Sequence, residues 1–315
     1  MTKLYIAVPC YNEEEVLPDS SGKLLDKMNK MIESGKITSD SRIVFIDDGS
    51  KDKTWQIISD LHEQNEMFQG IKLSCNRGHQ NALLCGLMTL KDKCDAIISI
   101  DADLQDDIEV FDEMVEKFEG GCDVVYGVRS KRETDTFFKR FTAEGYYKIL
   151  DKLGAKVLFN HADFRLMSSR ACETLSQFKE VNLFLRGMVP MVGYKSDIVY
   201  YERSERLLGE SKYPLKKMLA LAFEGITSLS TTPIKMISRA GLIIFLISIV
   251  MLIYFLVRFF MGATIEGWAS LAVSIWAIGG LQLLAIGVIG EYIGKIYLET
   301  KARPRFVVET YLGDE

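Results

Sequence analysis

The stretch AIISIDADLQDD, residues 96–107, joins an apolar run to four aspartates that fall within seven positions. The apolar run predicts a buried β-strand. Aspartate is common in polar loops and at helix N-caps. Carboxylates packed this closely, however, raise one another's pKa unless a cation lies among them. The stretch therefore predicts a strand that ends in either a capped polar loop or a metal site.

Short apolar runs alternate with helix-like segments in the first part of the chain. This alternation is typical of a parallel sheet with helices on both faces, so we expect an α/β fold. The predicted strands are LYIAV (4–8), RIVFI (42–46), GIKLS (70–74), AIISI (96–100) and DVVYG (123–127), and the predicted helices cover residues 14–34, 54–64, 80–91 and 108–118.

A polar cluster follows each predicted strand: PCYNEEE, DDGSKDKT, CNRGHQNA, DADLQDD and VRSKR. Ligands of open α/β sheets bind beyond the carboxyl ends of the strands, so the clusters predict a binding site along one rim. No GxGxxG follows the first strand and no GxxxxGK[ST] occurs, which disfavours a Rossmann dehydrogenase and a P-loop protein. The net charge of −5 argues against a nucleic-acid partner.

Two uncharged runs lie near the end of the chain, over residues 240–257 and 267–290. Each is long enough to cross a bilayer as a helix. The alternative is a pair of buried helices in a soluble core, but core helices of this length usually have a polar face.

The basic residues beside these runs predict the topology. Lys235 and Arg239 precede the first run, and four basic residues lie between 295 and 305, after the second. The link between the runs has no Lys or Arg after Arg258. By the positive-inside tendency, both ends face the cytoplasm. We therefore expect a multi-pass protein of the cell (inner) membrane whose preceding α/β domain lies in the cytoplasm.

Four motifs resemble glycosyltransferase family 2. VPCYNEE, IDDGSKDKT, NRGHQNALLCGL and DADLQD occur in the family's order and spacing over residues 8–106. The resemblance implies a GT-A fold, which is Rossmann-like with a mostly parallel sheet, and inverting transfer from a nucleotide sugar.

Further motifs, ADFRLMS (162–168) and GESKYPLKKM (209–218), together with the two apolar runs, resemble the polyprenyl-phosphate branch of that family. The branch includes undecaprenyl-phosphate glucosyltransferases and, more distantly, dolichol-phosphate mannose synthases. The predicted organisation is a GT-A catalytic domain (1–213), an amphipathic interfacial helix (214–236), a two-helix transmembrane hairpin (237–298) and a cytoplasmic tail (299–315). A packing helix of the soluble domain is the alternative for residues 214–236.

The resemblance favours the metal interpretation of the aspartate-rich stretch. It assigns Asp103 and Gln105 to Mg²⁺ or Mn²⁺, and Asp101 to the nucleotide or a metal-bound water. Alternate side chains of an extended segment share a face, and hard divalent cations prefer oxygen ligands. We expect Asp106 and Asp107 to cap and start the next helix.

The resemblance also implies a nucleotide-sugar pocket, with Asp47 and Asp48 near the base and the ribose. His79 is expected on the surface of the loop after the third strand. The implied pocket residues are Pro9, Tyr11, Glu13, Asp47, Asp48, Gly78, Asn81 and Asp101.

Basic residues are the candidates for binding the acceptor. A phosphate monoester has a second pKa near about 6, so it arrives ionised and needs cations to hold it in line. The candidate acceptor-phosphate residues are Arg129, Lys139, Arg140, Arg206 and Lys212.

The catalytic candidates are Asp163, Asp101 and Arg129. Asp163 matches the position at which other inverting members of the family use a carboxylate base. With an ionised acceptor, Asp163 can instead position the sugar or orient Arg165. Both roles are open at this stage.

The sequence therefore predicts metal-dependent, inverting transfer of one sugar, glucose or N-acetylglucosamine, from a UDP-sugar to undecaprenyl (polyprenyl) phosphate for cell-envelope glycan modification. A processive polysaccharide synthase is an alternative, but it needs a QxxRW motif and more spans. A non-catalytic nucleotide-sugar-binding membrane scaffold is another, but its aspartate motif would be broken, whereas Asp101, Asp103 and Gln105 are present. A homo-oligomer is also possible.

Overall fold

A computed structural model of the chain describes residues 1–130, 161–181, 183–202, 232–261 and 267–313. Eight strands form one sheet in the order β7-β5-β6-β4-β1-β2-β3-β8. The strands are β1 (Leu4–Cys10), β2 (Arg42–Asp47), β3 (Phe68–Leu73), β4 (Ala96–Ser99), β5 (Val124–Arg129), β6 (His161–Ser168), β7 (Ser196–Tyr201) and β8 (Val308–Leu312).

The helices of the α/β domain pack on both faces of this sheet. They are α1 (Leu17–Glu33), α2 (Thr54–Gln64), α3 (His79–Leu90), α4 (Phe111–Glu119), α5 (Ser169–Ser176) and α6 (Leu185–Met191). The predicted helix over 108–118 consists of a 3-10 turn, Ile108–Val110, followed by α4. The predicted α/β architecture is confirmed.

Alternation along the strands divides the core into two layers. In β1, Leu4, Ile6 and Val8 join the cluster that contains α1 and α4. Tyr5 and Ala7 join the cluster on the other face, with α3, α5 and α6. Every residue of β1 is buried, as expected for a strand covered on both faces.

Most strands run in one direction, and of the two reversed strands, β6 and β8, it is β6 that shapes the rim. β1, β2, β3 and β4 pair in parallel, as do β5 and β7. β6 lies antiparallel between β4 and β5, with Ser99 opposite Arg165. The carboxyl ends of the parallel strands therefore share one rim, where the start of β6 joins them. The polar clusters predicted to share a rim do so wherever the structure describes them.

Two long apolar helices follow the α/β domain, α7 (Thr232–Phe260) and α8 (Trp268–Lys301). The windows Ile234–Met251 and Ile278–Lys301 have mean hydropathies of 2.0 and 1.4, and neither is buried within the described structure. Both helices are candidates for membrane spans by length and composition. Most of the predicted interfacial helix, residues 214–231, lies outside the described residues.

The chain returns to the α/β domain after α8. In the predicted tail, β8 pairs antiparallel with β3 at the edge of the sheet. Ser74 N donates to Val307 O (3.0 Å), and Tyr311 Oη donates to Gln69 Oε1 (3.0 Å). The tail is therefore part of the sheet, which the sequence analysis did not anticipate.

Deleting residues 308–315 should loosen β3, because the strand would lose its antiparallel partner. We expect hydrogen exchange of the β3 amides that face β8 to accelerate at least about tenfold, and the thermal midpoint of the domain to fall. Hydrogen exchange with mass spectrometry measures the first effect. Glu309→Gln is the control, because it removes only the exposed Lys72–Glu309 ion pair (3.0 Å), and exposed pairs contribute at most about 1 kcal/mol. Unchanged β3 exchange after the deletion would contradict the pairing.

Candidate active site

The loops after β1 and β2 interlock through backbone amides. Asn12 N donates to Ser50 Oγ and Lys51 N donates to Asn12 Oδ1, both at 2.9 Å. Glu13 N donates to Thr54 Oγ1 (2.9 Å). The interlock fixes the segment that carries the predicted pocket residues Pro9, Tyr11 and Glu13. Within it, Pro9 is buried in β1, whereas Tyr11 is 40% exposed.

Asp47 and Asp48 are both buried at the carboxyl end of β2. Asp47 Oδ1 accepts from Ser50 N (3.1 Å), whereas its buried Oδ2 has no hydrogen-bond partner in the described structure. Burial raises the pKa of Asp47, although the hydrogen bonds from Ser50 oppose the shift. An unpaired buried acceptor is costly, so Oδ2 is suited to accept an N–H or O–H from a ligand.

Asp48 organises the loop that follows β3. Its two carboxylate oxygens accept from Arg77 N (2.7 Å) and Gly78 N (2.8 Å). Burial raises the pKa of Asp48, and the two amide hydrogen bonds oppose that shift. Gly78 has φ +87°, a left-handed conformation that favours glycine, and it precedes α3. Asp48 therefore fixes the start of α3, a role in addition to the predicted ribose contact.

Asn81 lies in the first turn of α3. Its Nδ2 donates to Arg77 O (2.8 Å). Its Oδ1 is buried and finds no partner among the residues described here. Like Asp47, Asn81 thus has one buried acceptor that no described residue satisfies.

The aspartate-rich stretch forms a tight turn at the end of β4. Leu104 N donates to Asp101 O (3.1 Å), and Leu104 has φ +42°. Gln105 is 6% exposed, whereas Asp101 and Asp103 are partly exposed. Burial, together with nearby Asp163, Asp106 and Asp103, raises the pKa of the Asp101 carboxyl, and His79 opposes the shift.

Two carboxylates and one carboxamide in this turn form a set of hard oxygen donors. Among the described residues, no group of three or more His, Cys, Asp or Glu side chains is arranged to hold a metal ion. Mg²⁺ commonly takes only one or two carboxylates and completes its shell with waters and substrate phosphates. The donor set of Asp101, Asp103 and Gln105 fits such an ion.

The last two aspartates of the stretch have different roles. Asp107 Oδ1 accepts from Glu109 N (2.9 Å) and caps the 3-10 turn, as predicted. The expectation that Asp106 also caps is wrong, because Asp106 is 3% exposed and accepts from Tyr201 Oη (2.7 Å) and Arg129 Nη2 (3.3 Å). Asp106 therefore ties the turn to β5 and β7.

Asp163 lies at the start of β6, beside the end of β4. Ser99 Oγ donates to Asp163 O (2.5 Å). The carboxylate accepts from Arg165 Nη2 (3.2 Å) and Arg186 Nη2 (3.0 Å). Burial alone would raise the pKa of Asp163, but the two guanidinium groups and His79 outweigh burial and hold the pKa well below its usual range.

His79 is exposed, as predicted, but it is the first residue of α3 and not a loop residue, and it lies between two site carboxylates. Its Nε2 is 3.6 Å from Asp101 Oδ1 and 3.8 Å from Asp163 Oδ2. His79 also follows Gly78, whose amide binds Asp48. These contacts connect the ends of β2, β3, β4 and β6 in one site.

Sequence reasoning missed Arg186, in the first turn of α6. The sequence feature that could have pointed to it is a single Arg inside the otherwise uncharged segment NLFLRGMVPMVGY (182–194). Of the predicted acceptor residues, Arg129 is described and is paired with Asp106. Lys139, Arg140, Arg206 and Lys212 lie outside the described residues.

The sequence model of glycosyl transferase family 2 matches residues 5–176, which is more than half of the chain. The chain belongs to this family. An uncharacterized glycosyltransferase of Bacillus subtilis is 52% identical over 312 residues, covering 99% of this chain and 93% of the relative. The bactoprenol glucosyl transferase of Shigella phage SfX is 41% identical over 310 residues, covering 98% of this chain and 99% of the relative.

The protein is therefore a glycosyltransferase, as predicted. Among solved structures, a Pyrobaculum calidifontis mannosyltransferase with GDP-Man and Mn²⁺ has a TM-score of 0.47 and 15% sequence identity, covering 94% of this chain and 85% of that chain. A likeness at this level says nothing about the ligands of this glycosyltransferase.

Asp106→Ala should destabilise the glycosyltransferase by about 3 kcal/mol, because it leaves the mostly buried Arg129 guanidinium without its carboxylate. The matched control is Asp107→Ala, which removes a cap and should cost about 1 kcal/mol. Denaturant unfolding of the two variants measures the difference. Equal losses of unfolding free energy would contradict the structural role of Asp106.

Proposed function

We propose that this glycosyltransferase moves one sugar, glucose or N-acetylglucosamine, from a UDP-sugar to a polyprenyl phosphate such as undecaprenyl phosphate. The observation that carries this proposal is the pairing of the ionised Asp163 carboxylate with two guanidinium groups, those of Arg165 and Arg186. A carboxylate with so low a pKa is a weak general base, because an effective base has a pKa near the working pH. The site therefore suits an acceptor that arrives already ionised, and a phosphate monoester does.

The similarity to bactoprenol glucosyl transferases supports the same acceptor and favours glucose as the sugar. Their likeness covers nearly the full length of the chain, including both apolar helices. The product would be a polyprenyl-phosphate sugar that donates to cell-envelope glycans.

The nucleotide would bind at the carboxyl ends of β1, β2 and β3. The buried acceptor Asp47 Oδ2 suits the N–H of a uracil base. Pro9, Tyr11 and Glu13 would form one wall of the pocket, and the loop with Gly78 and Asn81 another. Asp48 would hold that loop in place and reach the ribose from the same position.

Asp103 and Gln105 would hold the divalent cation, Mg²⁺ or Mn²⁺, with Asp101 contacting the nucleotide or a metal-bound water. A bound cation neutralises the charge that develops on the leaving nucleoside diphosphate. The Asp106–Arg129–Tyr201 contacts would keep the turn in position during the reaction.

In the proposed step, an oxygen of the acceptor phosphate attacks the anomeric carbon on the face opposite the leaving UDP. A bond between that oxygen and the anomeric carbon forms while the bond to the diphosphate oxygen breaks, which inverts the configuration. The phosphate dianion has no proton to lose, so the step needs no base. Asp163 would position the sugar through its hydroxyl groups and orient Arg165 and Arg186.

The position of β8 supports a hairpin through the cell membrane. β3 precedes both apolar helices and β8 follows them, and the two strands pair in one sheet. If α7 and α8 cross a bilayer, the segments before and after them must then lie on the same side. The basic flanks favour the cytoplasmic side, where nucleotide sugars are available.

Purified protein in detergent, incubated with undecaprenyl phosphate and labelled UDP-glucose or UDP-N-acetylglucosamine, should form a labelled lipid. EDTA should abolish the transfer, and Mg²⁺ or Mn²⁺ should restore it. Asp103→Ala should also abolish the transfer, because it removes a proposed ligand of the cation. The variant should stay folded, because the Asp103 side chain is partly exposed. Thin-layer chromatography of the lipid measures the transfer.

The control is Asp107→Ala, which changes a carboxylate in the same turn and should retain most of the transfer activity. Wild-type transfer at full rate in EDTA would exclude the metal assignment. Absence of any labelled lipid with either sugar would refute the proposed function itself.

Asp163→Asn should lower the turnover by a constant factor across pH, as expected when positioning is lost. Because the pKa of Asp163 is held far below neutrality, the residue does not titrate in this range. The wild-type and variant rates should both rise through roughly pH 6 as the acceptor loses its second proton. The pH–rate profiles of both proteins check this. Recovery of the variant between pH 7 and 9 would instead identify Asp163 as the base.

A further inference from the structure

The end of α8 contacts the loop that leads into α6. The Glu299 carboxylate accepts from Val181 N, which lies 2.8 Å from each of its two oxygens. The two residues are 118 positions apart in the chain. Arg305, just beyond α8, adds a second and longer contact with the same loop, from its Nη1 to Glu180 O (3.5 Å). The segment at the end of α8 therefore holds this loop at two neighbouring positions.

α8 is longer than its apolar part. The helix has 34 residues and ends at Lys301, whereas its uncharged run ends at Gly290. Residues 291–301 therefore extend the helix by about 16 Å beyond the apolar run, at about 1.5 Å per residue. Glu299 lies in the last turn of this extension. A continuous helix thus carries the Glu299 carboxylate from the candidate membrane span to the α/β domain.

The loop that Glu299 holds leads directly to the candidate active site. Five positions after Val181, Arg186 lies in the first turn of α6, and its Nη2 donates to Asp163 Oδ2 (3.0 Å). Leu185, beside Arg186, is fully buried, and its N donates to Gln80 Oε1 (2.9 Å). A shift of the loop would therefore move the start of α6 and, with it, the guanidinium that binds Asp163.

Polar contacts are important for this loop because apolar burial fixes little of its first part. Lys179 and Glu180, which precede Val181, are exposed. The bond from Val181 N to the Glu299 carboxylate is charge-assisted, and such bonds are stronger than those between neutral groups. Without that carboxylate, a partly buried amide would lose its acceptor, which is unfavourable. Glu299 is therefore suited to keep the loop docked.

We propose that Glu299 is a positioning residue of the glycosyltransferase: through Val181 and α6 it holds Arg186 and Asp163 in the arrangement that the transfer requires. The inference deepens the proposed function and rests on it, since the role of Asp163 is part of that function. Glu299 acts through other residues and has no assigned contact with a substrate. The competing explanation is that Glu299 only stabilises the contact between α8 and the α/β domain.

Two conservative substitutions separate the hydrogen-bond acceptor from the charge. Glu299→Gln removes the charge but keeps a side-chain oxygen for Val181 N, so its kcat should stay within about threefold of wild type. Glu299→Asp keeps the charge but is shorter by one methylene, so its kcat should fall about tenfold, as expected when a charge-assisted hydrogen bond is lost. Transfer from UDP-glucose to undecaprenyl phosphate by the full-length protein in detergent measures both rates. The reverse order of the two variants would overturn the proposal.

A double-mutant cycle tests whether the effect of Glu299 reaches Asp163. Residues that act on one another give non-additive effects. Glu299→Asp should lower kcat about tenfold in the wild type but less than about twofold in the Asp163→Asn background, where the carboxylate that the loop positions is already absent. A purely structural role predicts the same loss in both backgrounds, and that result would contradict the proposed coupling.

Hydrogen exchange with mass spectrometry tests the loop itself, without turnover. In Glu299→Asp, the peptide that contains Val181 and the start of α6 should exchange at least about tenfold faster. The control is Glu291→Ala, which removes an exposed carboxylate of the same helix that makes no hydrogen bond to the α/β domain within the described residues. It should leave both the exchange and kcat unchanged.

Unchanged exchange of this peptide in Glu299→Asp would also overturn the proposal. Failure of the wild type to transfer either sugar would refute the proposed function, whereas the exchange of the loop would still report on its contact with Glu299. The two failures are therefore distinguishable.

Discussion

The antiparallel insertion of β6 between β4 and β5 is the constraint on which the site depends. It places Asp163 beside the end of β4, where the Ser99 hydroxyl binds the Asp163 carbonyl. A fully parallel sheet would have sent the start of this strand to the opposite rim. One reversed strand therefore brings a carboxylate from the second half of the domain to the aspartate-rich turn.

The buried carboxylates Asp106 and Asp48 each bind protein groups that fix a loop of the rim. Asp106 is paired with the Arg129 guanidinium, accepts a hydrogen bond from the Tyr201 hydroxyl and fixes the turn. Asp48 binds two backbone amides and fixes a loop. Asp101 and Asp103 stay partly exposed, where a cation and a diphosphate can reach them. Asp101 and Asp103 thus leave negative charge accessible where the proposed cation would bind.

Much of this arrangement could be predicted from local sequence. The β4 strand and the turn after it follow from AIISI and DADLQDD, and the shared rim follows from the alternation of strands and helices. The positions of His79, Arg186 and β8 could not be predicted in this way. They depend on contacts between distant segments, such as Gln80 with Leu185 and β3 with β8, which leave no periodic pattern.

The pairing of β3 with β8 also has a consequence for biogenesis. Lys72 and Glu309, which pair across the two strands, are 237 positions apart, and both apolar helices lie between them. During synthesis, β3 is made before both apolar helices and lacks its edge partner until residues 308–312 have been translated. An unpaired edge strand can pair with other chains, so the nascent domain would need protection during this interval. If the two helices enter the membrane as they emerge, the sheet is completed only after insertion. β8 can pair with β3 only once both helices have been made.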